Sequence, residues 1–357
     1  MALKPLRVLV VDDSAFNRKL IGEILESIEG VTVVGKASDG EEALRLLGAL
    51  EPDLITLDLE MPRMDGFSFL RFVMARRPTP VIVISSHSAK QNVFRALELG
   101  ALDFVAKPSA SPGERLNVIR DELVAKVGLV RSLERTSLDR SPRSTVSSLL
   151  RRVRKDDERP LPIRDTPRHV LVVGASTGGP SALVDMFSWI QSDTEAAALV
   201  VQHMPVRFTR TFAERLDRLG GLRVTEAADG DRLRAGRALV CPGGRCVEVE
   251  RVDEGYAVRV RPPDPADRYV PSVDRALTSA AAVAGRRVIA VVLTGMGDDG
   301  AEGVQAVKRR GGQVLVQSPD DAIIDGMPRS ALRTGAVDQA LPLQLLRDRV
   351  ARMLSEP

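Results

Sequence analysis

Residues 7–28 read RVLVVDDSAFNRKLIGEILESI, and they set the architecture of the first part of the chain. The apolar run Arg7–Val11 predicts a β-strand that ends at two acids, Asp12 and Asp13. After these acids the spacing of the apolar residues predicts a helix over Phe16–Ile28. Its apolar positions are Leu20, Ile21, Ile24, Leu25 and Ile28. A continuous apolar strand that leads into an amphipathic helix is typical of a parallel sheet covered on both faces.

The same alternation continues towards residue 123. A second helix is predicted at Glu41–Leu50, and further strands at Val31–Gly35, Leu54–Leu57, Val81–Ile84 and Phe104–Val105. We therefore predict an α/β domain over residues 1–123, with a parallel sheet of about five strands.

A segment rich in serine, proline and charge follows, and it predicts an interdomain helix end and linker over residues 124–165. Residues 131–168 hold 11 basic and 6 acidic residues, whereas the rest of the chain holds 40 basic and 42 acidic residues. The excess positive charge therefore belongs to this segment. The folded parts carry no net positive charge and show no helix-turn-helix pattern, which argues against nucleic-acid binding.

Beyond the linker the alternation starts again and predicts a second, doubly wound α/β domain over residues 166–357. The expected strands are His169–Val173, Ala197–Val201, Leu239–Val240, Cys246–Val249, Tyr256–Val260, Val288–Leu293 and Gln313–Val316. The expected helices are Pro180–Ile190, Arg207–Leu219, Ser272–Ala284 and Ala301–Arg310. The two short strands around Glu254–Gly255 predict an antiparallel excursion from the parallel sheet.

Composition excludes several classes of protein. The 357 residues are 44% hydrophobic and 28% charged, as in globular proteins, and no apolar run reaches the ~18 residues of a membrane helix. The first residues show no small-residue cleavage site, so we expect no signal peptide and a cytoplasmic location. With two cysteines, Cys241 and Cys246, and three histidines, a disulfide framework or a zinc site is not expected.

Chemically useful side chains follow the predicted strands of the first domain. Asp12 and Asp13 follow the first strand, Asp58 follows the third, Ser85 the fourth, and Lys107 the fifth. Because ligands of open parallel sheets bind beyond the carboxyl ends of the strands, these groups are expected to converge. Carboxylates at such close range favour Mg²⁺, and a nearby lysine can hold a phosphoryl oxygen.

In this order and spacing, VDDS (11–14), LDLEMPRMDG (57–66), ISS (84–86) and VAKP (105–108) resemble the receiver domain of two-component response regulators. The resemblance implies a flavodoxin-like fold in which Asp58 accepts a phosphoryl group from a histidine kinase. It also implies that Asp12, Asp13, Asp58 and the Glu60 carbonyl hold Mg²⁺. Lys107 would contact the phosphoryl group, and Ser85 and Phe104 would occupy the switch positions, with Phe104 in place of the more common tyrosine.

In the second domain a strand runs into Gly174–Pro180 (GASTGGP) and then a helix. The G-x-S-x-G spacing resembles a nucleophile elbow that exposes Ser176, whereas the glycine spacing fits neither a phosphate loop nor a dinucleotide fingerprint. The alternative is a glycine-rich turn in which Ser176 caps the helix. His203 ends the next strand as a candidate base, and Asp298 or Asp299 follows a later strand as a candidate orienting carboxylate.

Together, GASTGGP, QHMP (202–205), PSVD (271–274) and LTGMGDDG (293–300) resemble the catalytic domain of the chemotaxis protein-glutamate methylesterases, the CheB family. The resemblance implies that Ser176 is the nucleophile, His203 the base and Asp299 the orienting carboxylate. Thr177 and the Met296 amide are implied on the oxyanion side.

The family resemblance implies an enzyme that removes methyl esters from glutamyl residues of methyl-accepting chemotaxis receptors, releasing methanol, and that also deamidates receptor glutamines. No cofactor is expected for the esterase reaction, whereas Mg²⁺ is expected for phosphorylation. The receiver is implied to cover the catalytic cleft until Asp58 is phosphorylated. Two alternatives stay open: a response regulator whose second domain only binds a ligand, and the same esterase in a pathway other than chemotaxis.

Overall fold

The computed structural model describes residues 4–85, 90–107, 115–133, 166–191, 193–206, 208–219, 221–253 and 255–355. The chain forms two compact units, Met1–Val146 and Ser147–Pro357. Most of the predicted linker, residues 134–165, lies outside the described residues, as do Ser86 and Pro108 of the receiver motifs. None of the helices in the described ranges combines the length and the apolar character needed to cross a membrane.

The first unit is an α/β domain with one parallel sheet. Its described strands are β1 (Leu6–Val11), β2 (Val31–Ala37), β3 (Leu54–Leu57), β4 (Val81–Ser85) and β5 (Asp103–Ala106). Its described helices are α1 (Ala15–Glu26), α2 (Gly40–Leu50), α3 (Gly66–Arg76), α4 (Lys90–Glu98) and α5 (Arg115–Leu133). The strand order β2-β1-β3-β4-β5 is that of the flavodoxin-like fold, which confirms the predicted fold class.

The core of this unit follows from the apolar strands. Alternate residues of β1, among them Val8 and Val10, pack with Ile21 and Leu25 of α1 and with Leu123 of α5. Because helices cover both faces of the sheet, β1 and β3 are buried almost throughout. Ser14 caps α1 by accepting a hydrogen bond from the Asn17 amide, which starts the helix directly after Asp12 and Asp13.

The second unit is a larger doubly wound domain. Its described strands are β6 (His169–Ala175), β7 (Ala196–Gln202), β8 (Arg223–Glu226), β9 (Arg232–Leu233), β10 (Arg237–Val240), β11 (Cys246–Val252), β12 (Gly255–Arg261), β13 (Val288–Val292), β14 (Gln313–Gln317) and β15 (Gln339–Leu341). Its described helices are α6 (Gly179–Phe187), α7 (Thr209–Leu219), α8 (Val273–Ala284), α9 (Ala301–Arg309), α10 (Gly326–Arg333) and α11 (Leu343–Ser355).

Seven described strands form its parallel sheet in the order β15-β14-β13-β6-β7-β10-β8. The chain begins at the central strand β6, builds outward through β7, and later returns to place β13 on the other side of β6. The crevice between β6 and β13 is thus a topological switch point, where open parallel sheets bind ligands. The doubly wound class predicted for this unit is confirmed.

Strands β11 and β12 form an antiparallel hairpin, with β9 beside β12. This is the antiparallel excursion expected around residue 255, but each hairpin strand has seven residues and is longer than predicted. The expected helix over Pro180–Ile190 already ends at Phe187, because a turn at Ser188–Ile190 replaces its last residues. Strands β8 and β15 were not predicted, since they are short and lie at the two edges of the sheet, where exposed residues interrupt the apolar run.

Candidate functional site

In the first unit, three carboxylates meet where β1 and β3 end. Val11 of β1 pairs with Leu57 of β3, and the Asp58 amide donates to the Val11 carbonyl over 2.8 Å. This register places Asp58 beside the Asp12–Asp13 pair, and ligand oxygens of the three residues lie within 4.8 Å of one another. Asp12 and Asp58 are buried, with Asp58 only 6% exposed, whereas Asp13 is exposed. The cluster offers the oxygen ligands that a hard divalent cation prefers.

Lys107, which follows β5, supplies a positive charge to this cluster. Its Nζ lies 2.5 Å from Asp58 Oδ2 and 2.9 Å from Asp12 Oδ2. Burial raises the pKa of Asp58, an effect that the bond with Lys107 only partly offsets. Burial alone would lower the pKa of Lys107, but its bonds to Asp12 and Asp58 outweigh this and raise it. One ammonium facing three carboxylates leaves an excess of negative charge for a cation to neutralise.

The other residues predicted for this site are Ser85, Phe104 and Glu60. Ser85 is the buried last residue of β4, and its carbonyl accepts the Lys107 amide over 2.7 Å. Phe104 is buried in β5, and the Glu60 amide donates to Asp58 Oδ1 over 3.4 Å.

Sequence reasoning missed Arg18, whose guanidinium donates to the Asp12 and Asp13 carbonyls over 2.7 and 2.8 Å. Its position in α1, one turn after the acids, was the available signal.

In the second unit, Ser176 lies in the sharp turn between β6 and α6. β6 ends at Ala175, α6 begins at Gly179, and the Gly179 amide donates to the Ser176 carbonyl over 2.8 Å. The residue that caps α6 is Gly178, and no side chain among the described residues caps the helix. The structure therefore does not support the alternative in which Ser176 is a helix cap.

His203 and Asp299 lie beside this turn, on the loops that follow β7 and β13. His203 Nε2 and Asp299 Oδ2 are 2.8 Å apart. The His203 amide donates to the Ala175 carbonyl over 2.9 Å, and the Ser176 amide donates to the Thr294 carbonyl over 3.1 Å. These backbone bonds join all three loops at the switch point of the sheet.

Unlike His203 and Asp299, the Ser176 hydroxyl and the His203 ring share no hydrogen bond within the described ranges. Because Asp299 engages Nε2, a proton-accepting role of this ring would fall to Nδ1. Hydrogen bonds between a nucleophile and its base are often long without substrate and shorten in the reacting complex.

The Asp299 carboxylate is anchored at the amino end of α8. It is 1% exposed, and it accepts backbone amides from Val273 over 2.7 Å and from Asp274 over 2.9 Å. Ser272, which caps α8, lies 3.4 Å from its Oδ1. A helix amino end stabilises a buried anion through its free amides and its dipole. Sequence reasoning quoted PSVD (271–274) as a motif but did not assign it this role.

Gln202, the last residue of β7, is a second residue that sequence reasoning missed. It is buried, and its Nε2 donates to the carbonyls of Ser176 over 2.8 Å and of His203 over 3.0 Å. The amide thus fastens the turn of Ser176 to the loop of His203. A polar residue at the end of an otherwise apolar strand was the signal that could have found it.

The predicted oxyanion-side groups differ in exposure. Thr177 is buried, and its carbonyl accepts the Thr294 hydroxyl over 3.0 Å. Met296 is 44% exposed, and in the described part of the chain its amide has no hydrogen-bond acceptor. Gly295 lies so close to the turn that a Cβ at this position would be 2.7 Å from Ser176 Cβ. The loop that carries the Met296 amide can therefore approach Ser176 because residue 295 has no side chain.

The environment of the Asp274 carboxyl predicts that the stability of the folded protein depends on pH. Burial, with a further contribution from the charge of Asp299, raises the pKa of its carboxyl from 3.8 to about 7. Between about pH 4 and pH 7 the folded state therefore binds a proton that the unfolded state releases, so this group makes stability fall as the pH rises. Asp274→Asn retains an oxygen for the Gly303 amide and does not titrate.

We expect wild type to lose more stability than Asp274→Asn between pH 4.5 and pH 7.5, as measured by urea unfolding at both pH values. Exposed Asp193→Asn, as the control, should follow wild type. Equal losses in wild type and Asp274→Asn would contradict the assignment.

Comparison with known proteins agrees with both units. The profile of the family described as CheB methylesterase matches residues 171–350, and that of the response regulator receiver domain matches residues 8–119. A relative from Geobacter sulfurreducens, named protein-glutamate methylesterase/protein-glutamine glutaminase 3, is 47% identical over 98% of this chain and 96% of its own length. A relative from Anaeromyxobacter dehalogenans, number 6 of the same name, is 48% identical over 97% of this chain and 95% of its own.

The crystal structure of the Thermotoga maritima CheB methylesterase catalytic domain is similar to the second unit, at 33% sequence identity and a TM-score of 0.50. The match covers 52% of this chain and 98% of that one. Two family profiles in the same order, relatives of nearly equal length and a matching fold lead to one conclusion: the chain belongs to the CheB methylesterase family and carries a response regulator receiver domain.

Proposed function

We propose that this protein hydrolyses methyl esters of glutamyl side chains in methyl-accepting chemotaxis receptors, releasing methanol, and that it deamidates receptor glutamines. The observation that carries the proposal is the 2.8 Å contact between His203 Nε2 and Asp299 Oδ2, beside the turn that presents Ser176. A serine hydroxyl is a weak nucleophile and needs such a base and orienting carboxylate. The names of the relatives supply the chemical class of substrate, a methyl-esterified glutamate or a glutamine of a protein, and the family resemblance implies the receptors.

In the first half of the reaction, Ser176 Oγ attacks the ester carbonyl while His203 Nδ1 takes the hydroxyl proton. Asp299 holds the ring through Nε2 and stabilises the imidazolium that forms. The oxyanion of the tetrahedral intermediate accepts a hydrogen bond from the Met296 amide, with Thr177 on the same side. The imidazolium then protonates the leaving methoxide, and methanol departs.

In the second half, His203 takes a proton from water, and the resulting hydroxide attacks the acyl-enzyme. This attack forms a second tetrahedral intermediate. When it collapses, the His203 imidazolium returns the proton to Ser176, and the glutamate carboxylate is released. A glutamine side chain passes through the same type of intermediate with ammonia as the leaving group, so one site serves both activities.

The first unit supplies regulation. We assign Asp58 as the carboxylate that accepts a phosphoryl group from the phosphohistidine of a chemotaxis histidine kinase in the cytoplasm. Asp12, Asp13, Asp58 and the Glu60 carbonyl would hold Mg²⁺, which neutralises phosphoryl charge during transfer. Lys107 contacts the phosphoryl oxygens, and Ser85 and Phe104 respond to them as switch residues. Phosphorylation then shifts the population between inhibited and active forms.

The experiment that tests the function measures methanol release from purified, methylated receptor fragments. Wild type is expected to release methanol without an added cofactor. No release from an authentic methylated receptor, with or without a phosphodonor, would contradict the proposed function.

The regulatory assignment predicts that Asp58→Asn abolishes the response to acetyl phosphate and Mg²⁺. Wild type should be stimulated by about 5- to 150-fold, the range typical of coupling between sites. Asp58→Asn should keep its unstimulated rate and show no increase, because the amide cannot be phosphorylated. Asp121→Asn on the exposed side of α5 is the matched control and should respond like wild type. Stimulation of Asp58→Asn would show that another group is the acceptor.

A further inference from the structure

The His203 imidazole has a second neighbour besides Asp299. The ring of Tyr269, in the segment between β12 and α8, is stacked on it with centroids 5.3 Å apart and an angle of 5° between the planes. Asp299 contacts the imidazole edge, at Nε2, whereas Tyr269 covers one of its faces. A hydrogen bond at one nitrogen still allows the ring to rock about that bond, and a ring packed on the face opposes this motion.

Tyr269 is itself held from its hydroxyl end. Its Oη donates to Asp298 Oδ1 over 2.8 Å and accepts the Asp298 amide over 3.3 Å. The Arg268 guanidinium donates to Asp298 Oδ2 over 3.2 Å and lies 5.5 Å from the centre of the Tyr269 ring. Arg268 and Asp298 therefore fix the ring that covers His203.

The loop after β13 is shaped for this contact. Gly297 has a φ of +87°, and a Cβ at this position would lie 2.2 Å from Tyr269 Oη. Only a glycine leaves room for the hydroxyl to reach Asp298, the next residue. The two adjacent acids thus act on different rings, since Asp299 contacts His203 and Asp298 contacts Tyr269.

We propose that Tyr269 is a positioning residue for the esterase reaction, which keeps the imidazole plane of His203 oriented between Asp299 and Ser176 and is anchored for this purpose by Asp298 and Arg268. The proposal rests on the proposed function. Tyr269 would act on proton transfer in the proposed mechanism. A tilted His203 ring would move Nδ1 away from the Ser176 hydroxyl, and small misplacements of reacting groups are costly.

The test compares Tyr269→Leu with Tyr269→Phe in steady-state kinetics on the methylated receptor. The leucine variant lacks the flat ring, and we expect its kcat to fall about 10- to 100-fold with KM within about twofold of wild type. The phenylalanine variant keeps the stacked ring and loses only the bond to Asp298, so it should retain kcat within about fivefold. Unchanged kcat in Tyr269→Leu would overturn the proposal. A raised KM with normal kcat would also overturn it, by making Tyr269 a substrate contact.

A second measurement separates positioning from general support of the fold. In a His203→Ala background, adding Tyr269→Leu should leave the residual hydrolysis of an activated phenyl ester unchanged, because no imidazole remains to be oriented. A further loss in that background would mean that the ring supports the site in another way, and the proposal would be wrong. Absence of methanol release by wild type would instead contradict the proposed function itself.

Discussion

Ser176→Ala is expected to lower kcat for methanol release by about 10⁵- to 10⁶-fold, leaving only the rate that the oxyanion donors and substrate binding provide. In the proposed mechanism, the substitution removes the atom that forms the bond to the acyl group. Because the fold around residue 176 is held by backbone bonds with Thr294 and Gly179, the alanine variant should keep its structure. KM should change little, since the hydroxyl adds little to binding.

The measurement is methanol release from methylated receptor, with circular dichroism and thermal unfolding to verify the fold. Ser188→Ala is the matched control, because Ser188 lies just past the other end of α6 and its hydroxyl donates to the Asp185 carbonyl, away from the site. It should retain the wild-type rate. Activity of Ser176→Ala near the wild-type level would show that the nucleophile is a different residue.

Asp299→Asn is expected to lower kcat by about 10⁴-fold, because an amide cannot stabilise the His203 imidazolium and favours the wrong tautomer of the ring. It should also destabilise the protein. Asp299 accepts from His203, from the Val273 amide and from the Asp274 amide, and an asparagine NH₂ would face one of these donors. Leaving a buried donor unpaired costs about 1–3 kcal/mol.

Both effects can be measured on one preparation, through methanol release and urea unfolding. Asp193→Asn makes the same chemical change on the surface and should alter neither quantity. If Asp299→Asn lost stability but kept its kcat, Asp299 would be a structural anion at the amino end of α8 and not part of the catalytic group.

Much of the fold followed from local sequence patterns. The apolar strands β1, β3 and β13 lie within about one residue of their predicted limits, because a strand buried on both faces needs an unbroken apolar run. Strands at the sheet edges, such as β8 and β15, carry exposed residues and lack that signal. The parallel class of both large sheets followed too, since continuous apolar strands that alternate with helices favour a parallel sheet covered on both faces.

The residues of the candidate site also differ in whether the sequence alone predicts them. Ser176, His203 and Asp299 each follow a predicted strand of a parallel sheet, so their shared edge could be inferred from their positions along the chain. Tyr269 could not be inferred in this way. Tyr269 precedes α8 in a segment without periodicity, and its contact with His203 joins residues 66 positions apart.

By itself, the sequence determined two parallel α/β domains, the strand ends that carry the acids and the serine, and the family to which their motifs belong. Only the tertiary structure decided which nitrogen of His203 meets Asp299, how α8 holds that carboxylate, and which ring covers the imidazole. The physical reason is the range of the interactions. Strand and helix patterns arise between neighbours in the chain, whereas the orientation of a side chain depends on atoms that only folding brings into contact.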